Sequence, residues 1–236
     1  MTADLIVEQR GPVIEARIAR PPGNLFTLQM CRDLTALLLM PPPGTRILLL
    51  TSDGPNFCLG RERTAMTPQE VYEITRALAD LNTALAASSL AVIAQVAGDA
   101  AGFGVGLVGL ADVAIASSGA RFWFPEAEAG LAPALVLTWL SSVLGRRLAF
   151  WLTATGQPLD AGRAETLGLI NQALPPEELP AAVGAAADLL LRQPPAVCAE
   201  IKKDLSTFSA PLAEASEQAV ERLALRSLIL NGQHQP

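Results

Sequence analysis

The sequence has one histidine, His234, which lies two positions before Pro236 in a polar tail. A Ser-His-Asp or Cys-His catalytic arrangement, or a histidine-rich metal site, therefore has no internal histidine to use. Cysteine is almost as scarce. Cys31, Cys58 and Cys198 are odd in number and far apart, so they form neither a zinc spacing nor a disulfide framework. That usage fits a reducing cytoplasm, where the protein is expected to reside. Charged residues make up only 17% of the chain, with a formal net charge of −6 and a pI near 4.9. An acidic balance of this kind argues against nucleic acid as a partner. No apolar run is long and uninterrupted enough to span a bilayer, so no membrane partner is expected. The opening MTADLIVEQR carries acidic residues where a secretory signal would be basic, so no leader is expected.

What is present is apolar bulk. Half of the 236 residues are hydrophobic and the mean hydropathy is +0.34, a composition that points to surface buried by self-association. The length suits one domain, or one domain with a helical appendage. Residues 5–20 read as a hairpin with Gly11-Pro12 at its turn, and residues 28–40 as a helix stopped by Pro41-Pro42-Pro43-Gly44. Residues 46–52 form a buried strand, followed by a polar glycine-bearing loop over 52–66. Thr67 caps a long helix running to about residue 86, with Pro68 first and Glu70 at the capping-box position. Further helices are expected up to Gly145, over 146–155 and over 160–167, with a strand-like return over 169–175. Beyond residue 176 the pattern is helical only, over 177–192, 195–206 and 211–230.

The stretch 96–112, VAGDAAGFGVGLVGLAD, lies between two buried strands and holds Gly98, Gly102, Gly104, Gly106 and Gly109. Each glycine costs about 1 kcal/mol against alanine in a helix. Their number there points to backbone that approaches something closely. A turn opening a buried helix presents backbone N–H groups that suit a developing negative charge, whereas the bland reading is close helix–strand packing. GFGVG is not a dinucleotide fingerprint.

Five segments, in order, resemble the crotonase (enoyl-CoA hydratase/isomerase) superfamily across residues 5–230. PPGNLFT (21–27) is similar to the family's RP-x-x-N-A-L, and RILLLTSDGPNFCLGRE (46–62) to its strand followed by F-S-A-G-A-D. The glycine stretch is similar to N-G-x-A-x-G-G-G-x-E-L-A-L-x-C-D, and ARFWFPEAEAGLAP (120–133) to A-x-F-x-x-P-E-x-x-x-G-L-x-P. LTATGQPLDAGRAETLGLINQALPPEEL (152–179) is similar to L-T-G-x-x-x-x-A-x-E-A-x-x-x-G-L-V-x-x-V-x-P. The resemblance implies an α/β fold, a crotonase-like superhelix of ββα units over 1–175. It further implies a helical region over 176–236 that serves trimerisation and covers the CoA site. It also implies a homotrimer or homohexamer acting on acyl-CoA thioesters, with no cofactor beyond the coenzyme A carried by the substrate.

Carried over by position, the enolate is held by two backbone N–H groups, those of Arg61 after Gly60 and of Phe103 between Gly102 and Gly104. Phe103 replaces a usual small residue and takes room beside the thioester. Of the two hydratase glutamates, the second matches Glu126, in Pro125-Glu126, and the first falls at Gly106. A lone glutamate favours 3-enoyl to 2-enoyl isomerisation over hydration. The alternatives are a hydratase with an altered water site and a non-catalytic acyl-CoA-binding homologue. Asp112 reads as structural, Asp99 as a turn residue that borders the pocket or caps, and Glu128 as peripheral. Ala134 occupies the place where dienoyl-CoA isomerases and dehalogenases carry an aspartate. Arg20 and Arg63, the latter beside the matched Thr64, are the candidate phosphate contacts of CoA.

Overall fold

The computed structural model describes residues 4–62 and 67–207, together with 217, 219–221 and 225. The expected helix over 211–230 and His234 lie outside these described residues, apart from the few just named.

The chain begins with the antiparallel hairpin β1 (Leu5–Arg10) and β2 (Val13–Ile18). Ile14, Ala16 and Ile18 alternate inward along β2, the period-2 pattern of a strand with one buried face. Helix α1 (Leu28–Leu39) is capped by the Thr27 hydroxyl, which accepts from the Met30 N–H at 3.1 Å. Its buried residues, Met30, Cys31, Leu34, Leu37 and Leu38, fall at helical spacing.

Three successive units then repeat one pattern. β3 (Ile47–Ser52) and β4 (Asn56–Cys58) lead to α2 (Pro68–Ala87); β5 (Ala91–Val96) and β6 (Asp99–Ala101) lead to α3 (Phe103–Gly109). β7 (Val113–Ser117) and β8 (Arg121–Trp123) lead through a 3-10 turn (Pro125–Ala127) to α4 (Ala134–Leu137). In each unit the first strand joins one sheet and the second joins another. The six-stranded sheet has the order β1-β2-β3-β5-β7-β10, where β10 is Gln172–Leu174, and it is parallel from β2 onward. The four-stranded sheet has the order β4-β6-β8-β9, with β9 (Leu159–Asp160) antiparallel to β8. This is the expected α/β arrangement of ββα units.

The capping box of α2 is complete. Thr67 accepts from the Glu70 N–H, and the Glu70 carboxylate accepts from the Thr67 N–H at 2.7 Å and its hydroxyl at 2.9 Å. Those bonds, the backbone one foremost, hold the carboxylate below the usual glutamate range. Helix α5 (Leu140–Thr155) contains the expected break at residue 145, where Gly145 leaves helical geometry at φ 71° and ψ 154°. Asp160 caps α6 (Ala161–Thr166) by accepting from the Arg163 N–H at 2.8 Å.

β5 is buried on both faces, as befits the centre of a parallel sheet. One face meets the main core beneath α1 and α2. On the other, Ile47, Ala91, Ile93 and Ile115 pack against Leu179 and Val183 of α7 (Leu179–Leu191). Arg46 closes that helix by donating to the carbonyls of Leu190, Leu191 and Gln193. From α8 (Pro195–Thr207), the buried Lys202 donates to Asp112 at 2.7 Å and to the Leu90 carbonyl at 3.1 Å. No helix among the described residues is long and apolar enough to cross a membrane.

Candidate active site

The segments that leave β4, β6 and β8 converge on one place. After β4 the chain runs through Leu59 and Gly60 to Arg61, which forms a single parallel bridge with Phe26. The Phe26 N–H donates to the Gly60 carbonyl, and the Glu62 N–H donates to the Phe26 carbonyl, both at 2.9 Å. In a parallel bridge the flanking residues supply the hydrogen bonds, so the N–H of Arg61 itself faces away from Phe26. Asn24 secures this segment from beneath. It is fully buried, donates to the carbonyls of Asp53 and Asn56 at 2.7 Å each, and accepts from the Arg20 N–H at 2.9 Å.

The second link leaves β6 and enters α3 through Gly102. Its φ of 52° and ψ of −116° suit glycine, and its N–H donates to the Trp123 carbonyl at 2.9 Å. Phe103 is the first helical residue, and an N–H at that position has no partner within the helix. Missing side chains let this link rest directly on the first. A Cβ on Gly104 would lie 2.0 Å from the Cys58 carbonyl oxygen, and ahead of β6 one on Gly98 would lie 2.0 Å from that of Pro55. The close backbone approach read from the glycines is thus real, and it joins the Arg61 and Phe103 links.

The third link supplies the carboxylate. Glu126 sits in the 3-10 turn after β8, where its carbonyl accepts from the N–H groups of Ala129 at 3.1 Å and Leu131 at 2.9 Å. A Cβ on Gly102 would fall 2.6 Å from Glu126 Oε1, so the carboxylate occupies the space that glycine leaves. Its other oxygen, Oε2, is shielded from solvent. Gly60, Arg61, Gly102, Phe103, Gly104, Pro125 and Glu126 are therefore brought together by the segments that leave β4, β6 and β8.

The other candidates separate from this cluster. Asp99 accepts from the Arg121 side chain at 2.6 and 3.2 Å and from the Arg121 N–H at 2.9 Å, so it ties β6 to β8. Asp112 accepts from the Val92 N–H at 2.7 Å as well as from Lys202, a structural role. Glu128 is exposed and turned toward Gly156. Arg20 pairs with Glu62 at 2.5 Å and with Asp4 at 3.3 Å, so its charge is balanced before any phosphate approaches. Arg63 and Thr64 lie outside the described residues. Phe103 does not stand open beside the cluster: its ring is 8% exposed and turned onto Phe26. Cys58, directly below, donates to the Gly60 carbonyl at 3.4 Å, and burial pushes its thiol up to about 12. Burial raises Cys31 as well, so neither is a nucleophile.

Sequence reading passed over Asn24 and Phe26. The available signal was a polar amide directly after Pro-Pro-Gly, with an aromatic residue two positions on.

Comparison with known proteins identifies the family. The profile of the enoyl-CoA hydratase/isomerase family matches residues 8–232. The enoyl-CoA hydratase ACTT6 of Alternaria alternata is 29% identical over 175 residues, covering 73% of this chain and 59% of that protein. The chain thus spans about three fifths of the length of the first curated relatives it matches. The enoyl-CoA isomerase/hydratase fer4 of Mycosarcoma maydis is 30% identical over 170 residues, covering 68% of this chain and 62% of fer4. Among solved structures, a Thermobifida fusca protein in complex with CoA superposes with a TM-score of 0.81 at 27% identity, covering 99% of this chain and 95% of that one. The chain belongs to the enoyl-CoA hydratase/isomerase family, the crotonase superfamily.

Proposed function

We propose that this protein moves the double bond of 3-enoyl-CoA thioesters to the 2-position, with Glu126 as the only proton carrier. The observation that carries this reading is the seating of the Glu126 carboxylate against Gly102, one residue before the Phe103 N–H, while Gly106 has no side chain. Glu126 takes the proton from the carbon alpha to the thioester. The electron pair of that C–H bond moves into the carbonyl, giving a dienolate whose oxygen accepts from the N–H groups of Arg61 and Phe103. The Glu126 carboxyl then returns the proton to the gamma carbon, and the carbonyl reforms. No water is consumed. A positioned general base contributes about 10²–10⁴-fold, and removing one such donor costs about 2.7–4 kcal/mol in the transition state.

Hydration is the second reading, favoured by the names of relatives such as ACTT6. It needs a second group to handle water, and Asp99 is committed to Arg121. A non-catalytic acyl-CoA binder is the third. Coenzyme A enters as part of the substrate, with Arg20 and Arg63 as its candidate contacts. Self-association as a trimer or hexamer is supported by the exposed Phe150 and Trp151 on α5, and a monomeric sedimentation profile would count against it.

Short 3-enoyl-CoA and 2-enoyl-CoA thioesters should be offered to the wild-type protein and to Glu126→Gln. Double-bond migration that drops at least about 10²-fold in the variant supports the proposal. Water addition to the 2-enoyl thioesters favours hydration instead, and binding without turnover favours the binder.

A further inference from the structure

We infer that the ring contact between Phe26 and Phe103 sets the spacing of the two backbone donors, which makes Phe26 a positioning residue for the reaction. This rests on the proposed enolate-holding role of Arg61 and Phe103. The two donors belong to different ββα units; pairing of β4 with β6 brings their segments side by side, and the side chains that follow those strands set the remaining distance. One of them, Arg61, is bound on both sides to Phe26: Gly60 accepts from the Phe26 N–H and Glu62 donates to its carbonyl. The other donor is the backbone of Phe103. The two rings meet edge to face, with centroids 5.3 Å apart and planes at 60°. Phe26 is fully buried and Phe103 nearly so. A backbone movement at either link must therefore push one ring against the other, in a core packed like a solid.

Gly106 lies beside the Phe103 ring. A Cβ there would lie 3.7 Å from Phe103 Cδ2, the one contact within 4 Å among the described residues. That is ordinary van der Waals contact, so an alanine there would touch the Phe103 ring without displacing it. Oxyanion donors act at about 2.7–3.1 Å from the oxygen they hold, and a misplacement of about 1 Å costs about 10²-fold. A ring pair bridging the donors is thus placed where small shifts have large kinetic effects.

The test uses Phe26→Leu, Phe103→Leu and the double variant, which keep the core apolar. Steady-state kinetics on a 3-enoyl-CoA, binding of butanoyl-CoA by calorimetry, and thermal melting are measured for each. Each single variant is expected to lose about 10-fold or more in kcat, with KM and butanoyl-CoA affinity within about 3-fold of wild type. The double variant should be no worse than the slower single one, since both remove the same contact. If Phe26→Leu does not fold, Phe26→Met carries the same test. Unchanged kcat in the singles, a parallel loss of kcat and butanoyl-CoA affinity, or multiplicative losses in the double variant would each overturn the inference. Failure of the isomerase reading shows separately, in wild type alone. In that case exchange of the alpha hydrogens of butanoyl-CoA in D2O reports the same donors, and a wild type showing neither reaction overturns both.

Discussion

Replacing Gly102 by alanine probes the seat of the carboxylate most directly. Two costs follow from the geometry. The added Cβ would lie 2.6 Å from Glu126 Oε1, and ordinary contact begins at 3.4 Å, so the carboxylate has to retreat by about 0.8 Å. The backbone must also hold a side chain at φ 52° and ψ −116°, a strain of about 1–3 kcal/mol. For a chain of this size 1 kcal/mol lowers Tm by about 2–4 °C, so a fall of about 2–12 °C is expected. The displacement should lower kcat/KM for 3-enoyl-CoA by about 10²-fold, in line with the loss expected for a misplacement of about 1 Å. Gly44→Ala separates the two costs, because Gly44 has φ 81° with nothing within 4 Å of its Cβ position. That variant should lose stability and keep its activity. The assay is isomerisation kinetics beside a fluorimetric melt for both variants. If Gly102→Ala retains kcat/KM within about 3-fold of wild type, the carboxylate does not act from its position against Gly102, and the reasoning fails.

Two further predictions concern other parts of the molecule. With its thiol raised to about 12 by burial, Cys58 is thiolate in only roughly one molecule in ten thousand at pH 8. Iodoacetamide should therefore label native protein at the half-buried Cys198 and spare the buried Cys31 and Cys58; rapid native labelling of Cys58, read by mass spectrometry, would contradict its placement. Glu70 has a lowered folded pKa because of its bonds from Thr67. The stability its charge contributes is complete above the unfolded value of about 4.3 and is lost as pH falls through the folded value. The difference in urea midpoint between wild type and Glu70→Gln should accordingly be largest near neutral pH and shrink below about pH 4. A difference independent of pH would show that the capping charge has no role.

Local chemistry made much of the fold legible. Thr67, Pro68 and Glu70 announce the start of α2 in adjacent letters, and the apolar run before Ser52 reads directly as β3. The break at Gly145 was readable for the same reason, and its backbone divides the helical run there. Strands β4 and β6 were missed because each has three residues, too few for a period to register. The site divides the same way. The candidates Glu126, Phe103 and Arg61 come from the family resemblance of their segments, since glycines and a Pro-Glu pair alone read as packing and a helix start. The commitment of Asp99 to Arg121 depends on strand register across 22 positions, and that of Arg20 to Glu62 on a contact across 42. No local pattern encodes such pairings. The turn of the Phe103 ring onto Phe26 likewise follows from how two distant links pack.

The position of α7 bears on the order in which this chain can be completed during synthesis. Ile47, Ala91, Ile93 and Ile115 are ready to form their sheet face well before Leu179 and Val183 exist to cover it. At roughly 5–20 residues per second the ribosome leaves that face open for several seconds. A nascent chain stopped near residue 175 would thus present a flat aliphatic surface to its surroundings, and chaperone binding should be strongest in that window.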